Sequence, residues 1–143
     1  MDNQETQEYI KNKEKKMSKI VLIDDEQMIL DLYSRGLAKD FEVLTANNGK
    51  AGLDLIEHEK PDLVLLDIRM PEMDGLVMLR RMKERGLLTM PVIILTNLTH
   101  DEKIAEAIEI GAKEYVLGTN VGTLTAAVTL IEIYFRWHNS LLY

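Results

Sequence analysis

The residues best suited to chemistry in this sequence are acids and a hydroxyl that directly follow short apolar segments. Asp24 and Asp25 follow one such segment, Asp67 follows a second and Thr96 follows a third. Carboxylates brought close together repel one another, so a cation is needed to keep them ionised. Oxygen ligands of this kind suit Mg²⁺ or Mn²⁺, and a carboxylate beside such a cation can attack phosphorus to form an acyl phosphate. The residue types predict a metal-linked phosphoryl acceptor, with the Thr96 hydroxyl as a donor to a phosphoryl oxygen.

Each of these residues also has an ordinary structural explanation. An aspartate after a strand commonly caps a helix or forms a turn, which is the alternative for Asp25. A threonine in the same position is commonly a turn residue, which is the alternative for Thr96. Asp67 is harder to explain in this way, because an unpaired carboxylate at the end of a buried strand is costly unless it is solvated or bound. The chemical interpretation therefore depends on whether the fold brings these groups together.

Short apolar segments alternate with segments of helical period, which predicts an α/β fold. The expected strands cover residues 19–23, 42–46, 62–66, 92–95 and 114–117, and the expected helices cover residues 27–37, 50–58, 76–84, 102–110 and 123–137. Most of the strands are continuously apolar, as parallel strands covered on both faces are. We therefore predict a doubly wound (βα)5 fold with one five-stranded parallel sheet and helices on both faces. Ligands of such sheets bind beyond the carboxyl ends of the strands, where the acids would lie.

Length and composition predict one soluble, cytoplasmic domain. The chain has 143 residues, of which 46% are hydrophobic and 29% are charged, and this suits a single core. Its net charge of -7 argues against direct nucleic-acid binding, and the absence of cysteine excludes disulfides and thiolate metal sites. No apolar segment approaches the ~20 residues that span a bilayer. We expect a flexible polar leader over residues 1–17, the domain over residues 18–138 and a tail over residues 139–143.

Four blocks of the sequence carry a family resemblance. They are KIVLIDDE at residues 19–26, PDLVLLDIRMPEMDG at residues 61–75, PVIILT at residues 91–96 and GAKEYV at residues 111–116. From about Ser18 to about Arg136, the chain resembles the CheY-like receiver domain of bacterial response regulators in two-component systems. The most specific part is the segment 67–75. The resemblance implies a flavodoxin-like sheet with the strand order 2-1-3-4-5.

The resemblance also implies a role for each of the residues at the strand ends. Asp67 is the phosphoacceptor, and the metal ligands are the carboxylates of Asp24, Asp25 and Asp67 and the backbone carbonyl of Arg69, with Mg²⁺ as the cation and Mn²⁺ as its substitute. Thr96 senses the phosphoryl group, and Tyr115 is the aromatic that moves inward when Thr96 moves. Without the resemblance, Tyr115 would be interpreted as an aromatic at the edge of the core.

The sequence departs from the family pattern at the end of the fifth strand. Receivers usually carry a lysine there, often followed by proline, but this chain has Gly118 and Thr119. The lysine normally pairs with the phosphoryl group, so we expect slower phosphorylation or weaker switching. Lys113 is near in sequence, but the strand should direct it elsewhere. Asn97 is bulkier than the small residue usual beside the switch threonine, and its alternative is a polar turn residue.

Three other functions compete with a phosphorylated receiver. A phosphatase of the haloacid dehalogenase type needs an acid two residues after its nucleophile, where this chain has Arg69. A flavodoxin-like FMN binder needs a phosphate-binding loop after the first strand, where Asp24, Asp25 and Glu26 would repel phosphate. The third is a pseudo-receiver, which would act as a phosphorylation-independent interaction module, and Gly118 is its motivation. For a receiver or a pseudo-receiver we expect no enzymatic activity, other than self-phosphorylation from a donor and slow autodephosphorylation.

A receiver implies a phosphodonor, either a sensor histidine kinase or a histidine phosphotransfer protein. His58, His100 and His138 have no metal-site spacing and are interpreted as surface residues. The last helix carries two apolar stripes, one of which is Leu124, Ala127, Val128, Ile131 and Phe135, and the other Leu130, Ile133 and Trp137. One stripe can pack on the sheet, so the second predicts another contact, which we assign to a homodimer. A helix that continues into an output domain would show the same pattern. We expect no membrane partner.

Overall fold

The computed structural model describes residues 2–7, 17–97, 101–118 and 121–140, without the side chains of residue 101 and residues 138–140. The strands are β1 (Lys19–Ile23), β2 (Glu42–Ala46), β3 (Leu63–Asp67), β4 (Val92–Thr96) and β5 (Glu114–Leu117). The helices are α1 (Gln27–Leu37), α2 (Gly49–Glu59), α3 (Gly75–Glu84), α4 (Asp101–Ile110) and α5 (Val121–Ser140). All strand pairs are parallel and the order is β2-β1-β3-β4-β5. The predicted fold class and strand order are confirmed.

The sheet separates two apolar layers because side chains alternate between the faces of a strand. Val21, Val64 and Ile94 lie on one face and pack with residues of α2, α3 and α4. Leu22 and Leu65 lie on the other face and pack with residues of α1 and α5. The first predicted stripe of α5 belongs to this second layer, as expected. The strands are therefore covered on both faces, which explains why their sequences are almost continuously apolar.

Several element boundaries differ from the expected ones. β3 begins and ends one residue later, and β4 extends by one residue, so Asp67 and Thr96 are strand residues that still take part in parallel pairing. The last helix begins at Val121 and continues to Ser140. Its early start is supported by Thr125, whose Oγ1 donates to the carbonyl of Val121 at 3.1 Å. No glycine or proline follows Gly122 to end the helix at residue 137.

The expected leader and tail lie partly outside the described residues. Residue 1 and residues 8–16 of the leader, and residues 141–143 of the tail, are not among them. Residues 3–7 are helical, and Ser18 already accepts a hydrogen bond from the backbone N–H of Glu42 at 3.0 Å. Within the described residues, no helix has both the length and the apolar character that a membrane crossing requires.

Candidate metal and phosphoacceptor site

The three aspartates predicted to bind a cation come together at the carboxyl edge of the sheet. β1 and β3 are neighbours, and their register pairs Ile23 with Leu66, so Asp24 and Asp67 follow at the same level. One carboxylate oxygen from each of Asp24, Asp25 and Asp67 lies within 4.8 Å of the others. Asp24 is 3% exposed, Asp67 is partly buried and Asp25 is exposed. The order of the strands therefore creates an acidic cluster that opens to solvent on one side.

Backbone N–H groups orient the two buried carboxylates of this cluster. Oδ1 of Asp24 accepts from the N–H of Glu26 at 2.9 Å, and Oδ1 of Asp67 accepts from the N–H of Arg69 at 3.3 Å. The alternative that Asp25 caps the following helix is wrong, because Glu26 is the N-cap residue of α1 and makes no side-chain capping bond. Asp25 is thus available to the cluster rather than engaged at the helix end.

The electrostatics of the cluster favour a bound cation. The pKa of Asp67 is raised to about 7, mainly by burial and also by the negative charges of Asp24 and Asp25, while the hydrogen bond from the Arg69 N–H acts in the opposite direction. Burial likewise raises the pKa of Asp24 to about 6, with the charges of Asp25 and Glu26 adding to the effect. Carboxylates held at such a cost need a positive charge, and an all-oxygen donor set matches the ligands of Mg²⁺ and Mn²⁺. The residues present therefore fit the predicted cation.

These pKa shifts predict how stability depends on pH without a cation. The folded pKa values of about 7 and about 6 lie above the ordinary value of 3.8, so the folded state binds protons more tightly than the unfolded chain. The contribution of these two groups to stability is then largest below their ordinary pKa, and it is lost as the pH rises through their pKa values in the folded state. In EDTA, we expect the melting temperature to fall by about 5 °C between about pH 5 and about pH 8.

Two controls accompany this measurement by calorimetry. Saturating Mg²⁺ should remove most of the fall, because it stabilises the ionised carboxylates. Asp67→Asn should reduce the fall in EDTA, because the amide does not titrate. A melting temperature that rises over the same range in EDTA would contradict this electrostatic description of the cluster.

Thr96 lies at the same edge of the sheet, one strand further along. It is 1% exposed and ends β4, which pairs with β3 on one side and β5 on the other. Its backbone carbonyl accepts from the N–H of Gly118 at 2.9 Å, so the ends of β4 and β5 are tied together. Asn97, the next residue in the chain, and the Arg69 side chain are both exposed. Lys113 lies at the opposite edge, where its N–H donates to the carbonyl of Val92, which confirms that it is directed away from the acids.

Tyr115 lies in β5 and pairs in register with Ile94. Its side chain is 42% exposed, so the ring is not packed into the core. With this exposure, Tyr115 is not an aromatic packed at the edge of the core. An inward movement of Tyr115 coupled to Thr96 stays a prediction. The position of the Arg69 carbonyl as a metal ligand also stays a prediction.

Gly118 has a conformation that other residues rarely adopt. Its φ is 106°, and a Cβ atom there would lie 2.5 Å from Oγ1 of Thr123. Thr123 is 8% exposed, and its hydroxyl donates to the carbonyl of Leu117 at 3.3 Å. The end of β5 is therefore closed by Thr123. Sequence reasoning missed Thr123, because no motif marks it.

Gly75 is a second residue whose importance sequence reasoning missed. Its N–H donates to the carbonyl of Ile68 at 2.7 Å, which closes the loop between β3 and α3. A Cβ atom at this position would lie 2.8 Å from the Cα of Ile68 and would also overlap the carbonyl oxygen of Asp67. The next helix begins here with Asp74 as its N-cap, whose Oδ1 accepts from Val77 at 2.9 Å. The close approach of Gly75 to the backbone of Asp67 and Ile68 therefore supports the position of Asp67.

Comparisons with known proteins agree with this geometry. The model of the response regulator receiver domain family matches residues 20–129. The regulatory protein AtoC of Escherichia coli (strain K12) is 40% identical over 102 residues, which cover 71% of this chain and 22% of that protein. The alkaline phosphatase synthesis transcriptional regulatory protein PhoP of Bacillus subtilis (strain 168) is 32% identical over 99 residues, which cover 68% of this chain and 41% of that protein. The chain thus spans less than half the length of these curated relatives.

Solved structures give the same result. A CheY-like response regulator receiver domain protein from Methanospirillum hungatei JF-1 has a TM-score of 0.78 and 25% identity, and the match covers 87% of this chain and 98% of that one. The response regulator DrrB, a Thermotoga maritima OmpR/PhoB homolog, has a TM-score of 0.73 and 28% identity, and the match covers 85% of this chain and 54% of that one. This chain belongs to the response regulator receiver domain family of two-component systems.

Proposed function

We propose that this domain accepts a phosphoryl group on Asp67 in Mg²⁺-dependent, cytoplasmic two-component signalling. The observation that carries the proposal is the convergence of Asp24, Asp25 and Asp67, whose carboxylate oxygens lie within 4.8 Å of one another. It is a phosphoacceptor rather than an enzyme with a separate substrate. Its phosphodonor would be a sensor histidine kinase or a histidine phosphotransfer protein.

The proposed transfer is a nucleophilic displacement at phosphorus. An oxygen of Asp67 attacks phosphorus, the new O–P bond forms as the bond between phosphorus and the donor breaks, and the donor leaves with its electron pair. A bound Mg²⁺ would neutralise the charge of the carboxylates and of the phosphoryl oxygens. Thr96, at the end of the neighbouring strand, supplies a hydroxyl donor for the phosphoryl group. The exposed guanidinium of Arg69 is the nearest cation in sequence to the acceptor.

Intact-protein mass spectrometry separates this function from that of a pseudo-receiver. Incubation with acetyl phosphate and Mg²⁺ should add the mass of one phosphoryl group to the protein, and EDTA should prevent the addition. We expect the addition to be slow, because the strand-end lysine is replaced by Gly118. No added mass at long times would favour a phosphorylation-independent interaction module.

A second proposal concerns the exposed face of α5. Ile133 is 45% exposed and Trp137 is 68% exposed, and together with Pro91 and Lys113 they line an open groove. Large apolar side chains that share one exposed face favour a protein contact. We propose that two copies of the chain meet through this face.

Light scattering at high protein concentration tests this contact. We expect a dimer for the parent protein and a monomer for Trp137→Glu, because a charge replaces the most exposed apolar group of the face. Met28→Glu is the matched control, since Met28 is 80% exposed on α1 and should leave the dimer intact. A monomeric parent protein would sink the proposal.

A further inference from the structure

Tyr33 is a fully buried residue with an unusual hydroxyl group. Its side chain is 0% exposed, and its hydroxyl has no hydrogen-bond partner among the described residues. Among these residues, no other buried side-chain nitrogen or oxygen atom lacks a partner. A buried tyrosine hydroxyl normally finds a partner, because leaving it without one costs the hydration it had in water. An orphaned polar atom of this kind calls for a group that the protein atoms alone do not provide.

The position of Tyr33 in the fold directs this hydroxyl toward the acidic cluster. Tyr33 lies on the buried face of α1 and packs in the same layer as Ile20 and Leu22 of β1. Asp24 follows Leu22 by two residues, so it continues the side-chain alternation on that face of the sheet. Side chains of a helix tilt toward its N-terminus, and α1 begins at Gln27, beside the cluster. The tyrosine ring therefore extends from the middle of α1 back toward the carboxyl edge of the sheet.

Asp24 is the acid that continues the face of β1 in the layer where Tyr33 packs. Burial raises the pKa of Tyr33 to about 12, and the negative charge of Asp24 contributes to the rise. A tyrosine hydroxyl, whose ordinary pKa is about 10, is protonated at neutral pH and can act as a donor. Asp24 is the complementary acceptor, since its Oδ1 is held by the N–H of Glu26 and it has a second oxygen to offer.

We infer that Tyr33 is a positioning residue of the cation site, whose hydroxyl donates to one bound water that in turn donates to the Asp24 carboxylate and fixes it in the orientation that binds the cation. The inference deepens the proposed function and depends on its cation site. It also explains why a tyrosine occupies a layer whose other buried members are apolar. Partners that orient a metal ligand from behind commonly change metal affinity by ~10–100-fold when they are removed.

The variant Tyr33→Phe removes only the hydroxyl. Mn²⁺ binding, followed by the paramagnetic resonance of the free ion, should weaken by about tenfold in this variant. The melting temperature in EDTA should stay the same or rise, because phenylalanine fills the same space without the orphaned group. Tyr134→Phe is the matched control, since Tyr134 lies on α5 and lines the groove near Pro91, at the opposite edge of the sheet. This control should bind Mn²⁺ as the parent does.

A dissociation constant unchanged in Tyr33→Phe overturns the inference, and so does a parent protein that binds no Mn²⁺. A second measurement needs no substitution: in protein labelled at the tyrosine Cζ carbon, the Tyr33 resonance should shift when Mg²⁺ is added and that of Tyr134 should not. Absence of the Tyr33 shift also overturns the inference. Acetyl phosphate labelling of the parent separates the two proposals. If the parent is labelled and Tyr33→Phe binds Mn²⁺ as tightly as the parent does, only the role of Tyr33 is removed. Weakened Mn²⁺ binding in Tyr33→Phe with no labelling of the parent removes only the phosphoacceptor function.

Discussion

Replacing Gly75 with alanine is expected to lower the free energy of unfolding by about 3 kcal/mol, as inserting an atom into a filled site does. The added Cβ would lie 2.8 Å from the Cα of Ile68 and would overlap the carbonyl oxygen of Asp67. Both neighbours are backbone atoms, which cannot turn aside as a flexible side chain can. Because one of them belongs to Asp67, we also expect weaker Mg²⁺ binding in the folded fraction.

Gly86→Ala is the control for this substitution. Gly86 has a φ of 69° but no atoms within 4 Å of the position of a Cβ, so alanine there meets conformational strain without a steric clash. Its cost should be about 1 kcal/mol, with no change in Mg²⁺ affinity. Urea unfolding and Mg²⁺ titration of both variants measure the difference. Equal losses of stability, or unchanged Mg²⁺ binding in Gly75→Ala, would show that the close approach does not support the acceptor.

Introducing the lysine that the family resemblance implies, through Gly118→Lys, is expected to destabilise the domain rather than improve its phosphorylation. The φ of 106° strains any residue with a Cβ, and that atom would lie 2.5 Å from Oγ1 of Thr123. Backbone strain of this kind costs about 1–3 kcal/mol, and the contact with Thr123 adds to the cost. The introduced ammonium group starts from a displaced backbone, so we expect no faster phosphorylation by acetyl phosphate.

Gly118→Ala separates the backbone effect from the charge. It carries the same strain without an ammonium group, and we expect a similar loss of stability in both variants by urea unfolding. If Gly118→Lys were as stable as the parent and were phosphorylated faster, the turn would tolerate the family residue. Gly118 would then differ from the lysine that the resemblance implies without any change in the conformation of the strand end.

Most of the fold could be predicted because the strands are apolar and their boundaries are polar. The bounds of β1, β2, β5 and α1 agree with the expected ones. The bounds of β3 and β4 were less predictable, since a polar residue can end a strand and still pair, as Asp67 does with Leu95. The start of α5 was missed because threonine and valine are weak helix formers, yet the Thr125 and Thr129 hydroxyls bond back within the helix.

The acidic cluster was predictable because parallel strands end at a common edge, and chain order places the three acids there. The residues that support the acidic cluster were not predictable from the sequence. Gly75 and Thr123 matter through contacts with atoms of other segments, and these distances depend on the loops rather than on any local pattern. Tyr33 lies on the buried face of α1, where helical periodicity accounts for its ring but says nothing of its hydroxyl.

The site of phosphorylation tests the central claim most directly. After incubation with acetyl phosphate and Mg²⁺, borohydride reduces an aspartyl phosphate to homoserine, and peptide sequencing by mass spectrometry locates the change. We predict homoserine at Asp67 in the parent protein, its absence in EDTA and its absence from the rest of the chain in Asp67→Asn. Reduction at another aspartate, or an Asp67→Asn protein that is labelled as fully as the parent, would contradict the assignment of Asp67 as the phosphoacceptor.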